Sequence, residues 1–271
     1  MNSMSRQLVN VRVDGETVYL KAEDNETEIS YKLRLNDYLP LGLSIGQQID
    51  EKTATELDRL HSLRYGYNKC LRKLACSDHT VREIRDTLKE IKNLEEEDRE
   101  TIISGLQELG YLNDEITAGN QLYRDQQKLL GSAHTKRNLL KRGVPADIVR
   151  EVLSAVDRAE ETERGIKRAE ALARRLAKGS DRELKADLYS HLKSDGYENP
   201  DEIIARLDYH IDEETEKENC RRQLRKALAR YAGRLEGARL TGRLYQYLYS
   251  HGYSSEVIRE VMEQEVEYED Q

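Results

Sequence analysis

The stretch LKADLYSHLKSDG at residues 184–196 decides the reading of this chain, because it returns as LTGRLYQYLYSHG at residues 240–252. Leu184, Leu188 and Leu192 lie four residues apart, as do Leu240, Leu244 and Leu248, and that spacing stacks each set on one face of a helix. Gly196 and Gly252 follow at the point where a helix commonly ends in a left-handed residue. Beyond them Ile203, Ile204 and Leu207 match Val257, Ile258 and Val261, a second helical face. Further upstream, Leu139, Gly143, Ile148, Val149 and Val152 keep the same order. A weaker first copy holds Ile84 and Leu88, a turn near Lys92-Asn93, then Ile102, Ile103 and Leu106. The helices that lead each unit repeat as well. Glu160-Glu161-Thr162-Glu163 returns as Glu213-Glu214-Thr215-Glu216, and Ala171-Leu172-Ala173-Arg174 as Ala227-Leu228-Ala229-Arg230. The first spacing is 53 and the second 56, which predicts a last leading helix longer by roughly one turn. Acids opening and bases closing these helices complement the helix dipole.

The N-terminal residues follow a different period. Leu8-Val9-Asn10-Val11-Arg12-Val13 alternates, Asp14-Gly15 intervenes as a hairpin turn, and Val18-Tyr19-Leu20 follows. Ile29 to Leu35 alternates again, and Pro40, Gly42 and Gly46 punctuate a loop before Asp50, which caps a helix opening at Glu51. The expected fold is mainly α: tandem three-helix repeats in an elongated curved array, preceded by a small domain containing a β-hairpin. The expected divisions are a β-rich domain over 1–57 and repeats over 58–112, 113–156, 157–211 and 212–271, the last ending in an acidic tail. A unit of this size buries its own face poorly, so neighbours are expected to stack.

Composition agrees with thin layers. Charged residues make up 35% of the 271 and hydrophobics 37%, with only three prolines to interrupt helices. No window reaches the ~18 apolar residues of a membrane span, and Met1 to Arg6 carry no apolar export signal. The sequence therefore predicts a cytoplasmic chain with no membrane partner. Cys70, Cys76 and Cys220 are odd in number and lack a CxxC pair, which reads as free thiols. Sixteen tyrosines, with no Phe or Trp, must supply all large aromatic packing.

No catalytic or cofactor motif is present: no phosphate loop, dinucleotide fingerprint, zinc-protease helix or nucleophile elbow. His61, His79, His134, His191, His210 and His251 form no metal-ligand spacing with each other or with cysteine, so no metal or cofactor is expected. Glu95-Glu96-Glu97-Asp98 reads as a solvated helix start. The basic segments stand out. Arg164, Lys167, Arg168, Arg174, Arg175 and Lys178 share their window only with Glu170. Arg221, Arg222, Arg225, Lys226, Arg230, Arg234, Arg239 and Arg243 share theirs only with Glu236. Two readings stand side by side: solvated faces balanced by neighbouring acids, or a surface for an anionic partner, whether a nucleic-acid backbone or an acidic protein groove. A net charge of −8 argues against nucleic-acid binding by charge alone, and the tail Glu263, Glu265, Glu267, Glu269 and Asp270 would shield the surface or solubilise the end. Sequence-specific helix-turn-helix reading is disfavoured, because Arg150 sits between Asp147 and Glu151, and Arg259 between Glu256 and Glu260.

Several of these residues resemble one family. Gly110-Tyr111-Leu112-Asn113-Asp114 resembles the GYL[DN]D signature of the RecX regulatory proteins, and Leu139-Leu140-Lys141-Arg142-Gly143-Val144 the basic glycine turn that follows it. Tyr65-Gly66-Tyr67 is similar to the family's start, and Leu41 to Asp50 to the extension of its Gram-positive members. Leu129 to Ala133 departs from the family's Lys-Gly-Pro, and Ile116 and Thr117 from its aromatics, which bears on the packing of the second unit. The resemblance implies a monomeric, non-enzymatic modulator of the RecA recombinase in homologous recombination, DNA repair and the SOS response. Such proteins lodge in the groove of the RecA filament, beside single- or double-stranded DNA, and mostly inhibit its extension, ATPase, strand exchange and co-protease activity. A plain helical scaffold for another protein is the remaining alternative.

Overall fold

The computed structural model describes residues 6–24 and 27–269, with side chains as far as Glu265. Glu267, Glu269 and Asp270 of the expected acidic tail lie outside the described side chains. The chain divides into two compact units: residues up to Gly119 together with Leu139–Arg150, and Asn120–Asn138 together with residues from Glu151 onward.

The first unit opens with strands β1 (Arg6–Asp14), β2 (Thr17–Asp24) and β3 (Thr27–Arg34), the short helix α1 (Leu35–Tyr38), a 3-10 turn over Leu39–Leu41, and β4 (Gln48–Ile49). Asp14 pairs with Thr17, so the hairpin turn is Gly15-Glu16 and not Asp14-Gly15, with Gly15 taking the positive φ of 57°. The sheet is antiparallel, in the order β3-β2-β1-β4. The fourth strand corrects the expectation of a plain loop before Asp50. Two residues carry no periodicity, and β4 exists only because Arg6 and Gln7 pair with Ile49 and Gln48. The alternation does its expected work elsewhere: Val18, Leu20, Ala22, Tyr31 and Leu33 point inward against Ala54, Leu57 and Leu60. Those last three belong to α2 (Glu51–Cys76), whose N-cap Asp50 accepts from the Thr53 amide at 2.7 Å. The expected division at residue 57 falls inside this helix. Its first half covers the sheet, while Cys70 further along packs with Ile84, Leu88, Ile102, Ile103 and Leu106.

Helices α3 (Val81–Lys89) and α4 (Glu96–Glu108) follow, then α5 (Asp114–Gln127), α6 (Ser132–Lys141) and α7 (Ala146–Ser154). The second unit continues with α8 (Arg158–Leu176), α9 (Asp181–Asp195), α10 (Pro200–Ala205), α11 (Glu213–Tyr231), α12 (Gly237–Ser250) and α13 (Ser255–Glu269). The leucine ladder reads as expected: Leu184, Leu188 and Leu192 are buried on α9, and Leu244 and Leu248 on α12. Gly196 and Gly252 take φ values of 95° and 87°. The expectation of a longer last leading helix is overturned, because α8 and α11 are both 19 residues long. Asp157 and Asp212 cap them 55 residues apart, and Gly165, Ala169 and Leu172 are buried as Cys220, Leu224 and Ala227 are. The Glu and Ala-Leu-Ala-Arg matches were accidental registers on either side of the true one.

The glycine turns do more than stop helices. The first amide of α3, at Val81, donates to the Asp114 carboxylate of α5 at 2.9 Å. The first amide of α6, at Ser132, donates to Glu161 of α8 at 2.5 Å, and that of α9, at Asp181, to Glu216 of α11 at 3.1 Å. In each case a carboxylate from the next leading helix sits at the positive end of the preceding middle helix. The turn closing the next middle helix completes the clasp. Thr80 donates its hydroxyl to the Arg142 carbonyl at 2.8 Å, the Gly131 amide donates to the Asp195 carbonyl at 2.9 Å, and the Ser180 hydroxyl to the His251 carbonyl at 2.7 Å. Thr80 and Ser180 are fully buried by this contact.

The first clasp carries an ion pair. Arg142 forks onto both Glu83 oxygens at 2.8 and 3.0 Å and donates to the Asp78 carbonyl at 2.9 Å. Burial opposes ionisation of Glu83, but the Arg142 bonds, the Thr80 amide and His79 outweigh it and hold the carboxyl at about 2, against an ordinary 4.5. A depressed folded-state value stabilises above the unfolded value and stops doing so as pH falls through the folded one. Stability is therefore expected to drop between pH ~4.5 and ~2, and Glu83→Gln to flatten that part of the pH–stability curve in urea titrations. An unchanged slope in the variant would show that the pair does not drive acid sensitivity.

Candidate partner-binding interface

The candidate surface is built on α8 and α11, whose buried stripes leave their basic residues on the opposite faces. The structure separates the predicted residues into two groups. The first is engaged inside the fold. Arg164 lies 3.7 Å from Glu160, Arg168 donates to Asp195 at 2.8 Å, and Arg221 bonds Glu218 and Gln264. Arg225 pairs with Glu265 at 3.0 Å, tying α11 to α13, and Arg222 bonds the side-chain oxygen of the buried Asn219. These five positions position helices as much as they present charge.

The second group is free. Lys167, Arg174, Arg175, Lys178, Lys226 and Arg230 are exposed, and among the described residues none forms an ion pair. Lys167 and Arg174 lie seven residues apart on one side of α8, whereas Lys178, expected on the same helix, lies in the loop beyond its end at Leu176. In the true register of 55, Arg175 and Arg230 occupy the same position on the two leading helices, as do Lys167 and Arg222. Arg230 is held by more than solvent: its guanidinium lies 5.5 Å from the Tyr231 ring, with that of Arg243 at 5.2 Å. Unpaired, exposed guanidinium and ammonium groups offer donors to an anionic surface.

Sequence reasoning missed three buried polar groups, two of them on α11. Lys217 is buried among Glu213, Glu214 and Glu260, and the bonds from Glu213 and Glu260 raise its ammonium above the ordinary range. Asn219 donates to the Gly179 carbonyl at 2.9 Å, fixing α11 against the loop after α8. Asp125 is buried with its carboxylate accepting from Thr135 at 2.8 Å and Gln121 at 2.8 Å. Local spacing shows only Glu213 one turn from Lys217 and Gln121 one turn from Asp125, whereas Glu260, the Gly179 carbonyl and Thr135 come from other elements.

The cysteines are free. Cys70 and Cys220 are buried, and burial pushes their thiols up to about 11 and about 12, well away from thiolate reactivity. Among the described residues, no group of three His, Cys, Asp or Glu is placed to hold a metal ion, and no helix is long and apolar enough to cross a membrane. A cavity of about 700 Å³ beside α2 and α4 is lined by Leu63, Tyr67, Ile102 and Leu109 together with Arg34, Arg64, Glu97, Glu100 and Glu108.

Residues 214–262 match the family model for the third three-helix domain of RecX. The regulatory protein RecX of Clostridium botulinum (strain Alaska E43 / Type E3) is 26% identical over 195 residues, covering 71% of this chain and 85% of the relative. That of Bacillus subtilis (strain 168) is 28% identical over 178 residues, covering 64% and 67%. A crystal structure titled regulatory protein RecX matches 73% of this chain and 98% of its own with a TM-score of 0.57, at 19% identity, a likeness of fold alone.

Proposed function

The chain belongs to the RecX family of regulatory proteins, and we propose that it acts in the cytoplasm, without catalysis, as a monomeric regulator of the RecA recombinase. It binds in the groove of the RecA–DNA filament and mostly inhibits filament extension, ATP hydrolysis, strand exchange and co-protease activity. The observation that carries this reading is the pair of equal leading helices, α8 and α11, each presenting unpaired cations from a clasped, repeated frame. A filament of protein and nucleic acid is a long anionic groove, and cations spaced along stacked units match it without needing a pocket. The four repeats over 58–112, 113–156, 157–211 and 212–271 belong to this reading, with the β domain preceding them.

The test is direct. Purified protein at micromolar concentration is expected to slow RecA's DNA-dependent ATP hydrolysis and strand exchange. Rates untouched at that concentration would end the proposal. A second reading, a nucleic-acid binder acting alone through the same free cations, requires tight binding to bare single-stranded DNA that weakens steeply with salt. Weak, salt-insensitive binding would count against it.

A further inference from the structure

The closing helix of the last repeat runs past its own core. Val257, Ile258 and Val261 are buried on α13 with Met262 packed beside them, and the match to the third three-helix domain stops at the same point, residue 262. The helix nonetheless continues to Glu269, 15 residues in all, where α10, its counterpart in the preceding repeat, has 6. Beyond Met262 the sequence supplies Glu263, Glu265, Glu267 and Glu269 and no base.

Two residues of this extension reach α11. Lys217, Arg221 and Arg225 lie four apart on one face of that helix, and each meets α13: Lys217 with Glu260 at 2.8 Å, Arg221 with Gln264 at 2.7 Å, and Arg225 with Glu265 at 3.0 Å. Val257, Val261 and Glu265 are also four apart, so a carboxylate stands where the apolar stripe of α13 would continue. The three contacts are unequal. Lys217 is buried, whereas the Arg225 side chain is 64% exposed and Gln264 is exposed. Exposed pairs of this kind add little to folding. The end of α13 gains little from its own helix either, because its last turn carries no base and acids there oppose the dipole. In the register of 55, the positions of Arg221 and Arg225 fall on Ile166 and Glu170 of α8. The covered cations and the acidic extension therefore occur together in the last repeat and are both missing from the one before it.

We propose that residues 263–269 form a detachable acidic strap, which lies on α11 in the free protein and gives way to an anionic partner. While the strap is down, Gln264 and Glu265 engage Arg221 and Arg225, and Lys226 and Arg230 are the open cations of α11. A partner dense enough in negative charge displaces the strap, and both guanidiniums then join that row. The strap lowers affinity for every anionic surface, and it lowers it least for one that can replace both contacts at once. The inference rests on the reading above for the identity of the partner, but the competition it describes holds for any polyanion.

The experiment compares the full chain with a Gln264→Ala, Glu265→Gln variant. Binding is measured on RecA filaments assembled on single-stranded DNA, and again as the salt needed for elution from heparin, a polyanion that requires no recombinase. The variant is expected to bind filaments about fivefold more tightly and to leave heparin at higher salt. Its melting temperature is expected to stay unchanged, because Val257, Ile258 and Val261 keep their packing. Glu263→Gln removes one charge from the same stretch, at an exposed side chain with no ion pair among the described residues, and is expected to alter neither measurement. Equal gains from both variants would reduce the effect to overall charge and overturn the inference. A lowered melting temperature with no gain in binding would make the extension a structural brace and overturn it as well. If the parent chain fails to bind filaments, the functional reading fails, while the heparin comparison still decides the strap.

Discussion

Gly196→Ala is expected to destabilise the chain by about 3 kcal/mol or more, while Gly110→Ala costs only about 1 kcal/mol. Both glycines end a helix or turn with positive φ, at 95° and 73°, so both variants carry the strain of a side chain in the left-handed region. They differ in what surrounds them. A Cβ on Gly110 meets open space, whereas one on Gly196 overlaps the backbone nitrogen of His134. That overlap lies at the clasp, where the Ala133 amide donates to the Gly196 carbonyl at 3.1 Å and the Tyr197 hydroxyl to the Leu129 carbonyl at 2.9 Å. A rigid backbone cannot step aside as a flexible side chain can, so the clasp must open to admit the methyl. Gly143 provides an intermediate case, since the nearest atoms its Cβ would meet belong to the flexible Arg82 side chain. Urea unfolding followed by helical circular dichroism reads all three, and equal midpoint shifts for Gly196→Ala and Gly110→Ala would mean that the glycine serves the turn alone.

This contrast also marks where the sequence could be read and where it could not. Leu184, Leu188, Leu192 and Gly196 show both the helix face and its end, since both are properties of residues close in sequence. The same holds for Asp50 as a cap and for the alternation in β2 and β3. The second role of Gly196 depends on His134, 62 residues earlier, and nothing local to either residue announces it. Asp114, Glu161 and Glu216 are hidden for a related reason: an acid in the first turn of a helix is already explained by the dipole, so its service to the preceding unit adds no further mark. The register of the leading helices is hidden because the short Glu-Glu-Thr-Glu and Ala-Leu-Ala-Arg matches fall at 53 and 56, and it takes burial to identify Gly165 with Cys220 and Leu172 with Ala227. In the candidate interface, composition marks α8 and α11 as the basic helices. It could not tell Arg225, which is bound to Glu265, from Lys226, which is unpaired.

That distinction decides how the interface should be tested. Reversing Arg221, Arg222, Arg225 and Lys226 together, the set that sequence alone recommends, would break the contacts of Arg221 with Gln264, Arg222 with Asn219 and Arg225 with Glu265. Any loss of binding would then be mixed with a disturbed α11–α13 contact. Lys167→Glu, Arg174→Glu, Arg175→Glu and Lys226→Glu touch only exposed side chains without an ion pair among the described residues, so the cost to stability is expected to stay within about 0.5 kcal/mol. Each reversal replaces attraction to an anionic groove with repulsion. At about 0.7 kcal/mol per site, an exposed and partly screened value, four of them predict roughly a hundredfold loss of filament affinity. The loss should shrink as salt rises, because screening weakens attraction and repulsion alike. A variant that keeps its helicity and melting temperature yet inhibits ATP hydrolysis as well as the parent would reduce the basic face to a solvated surface.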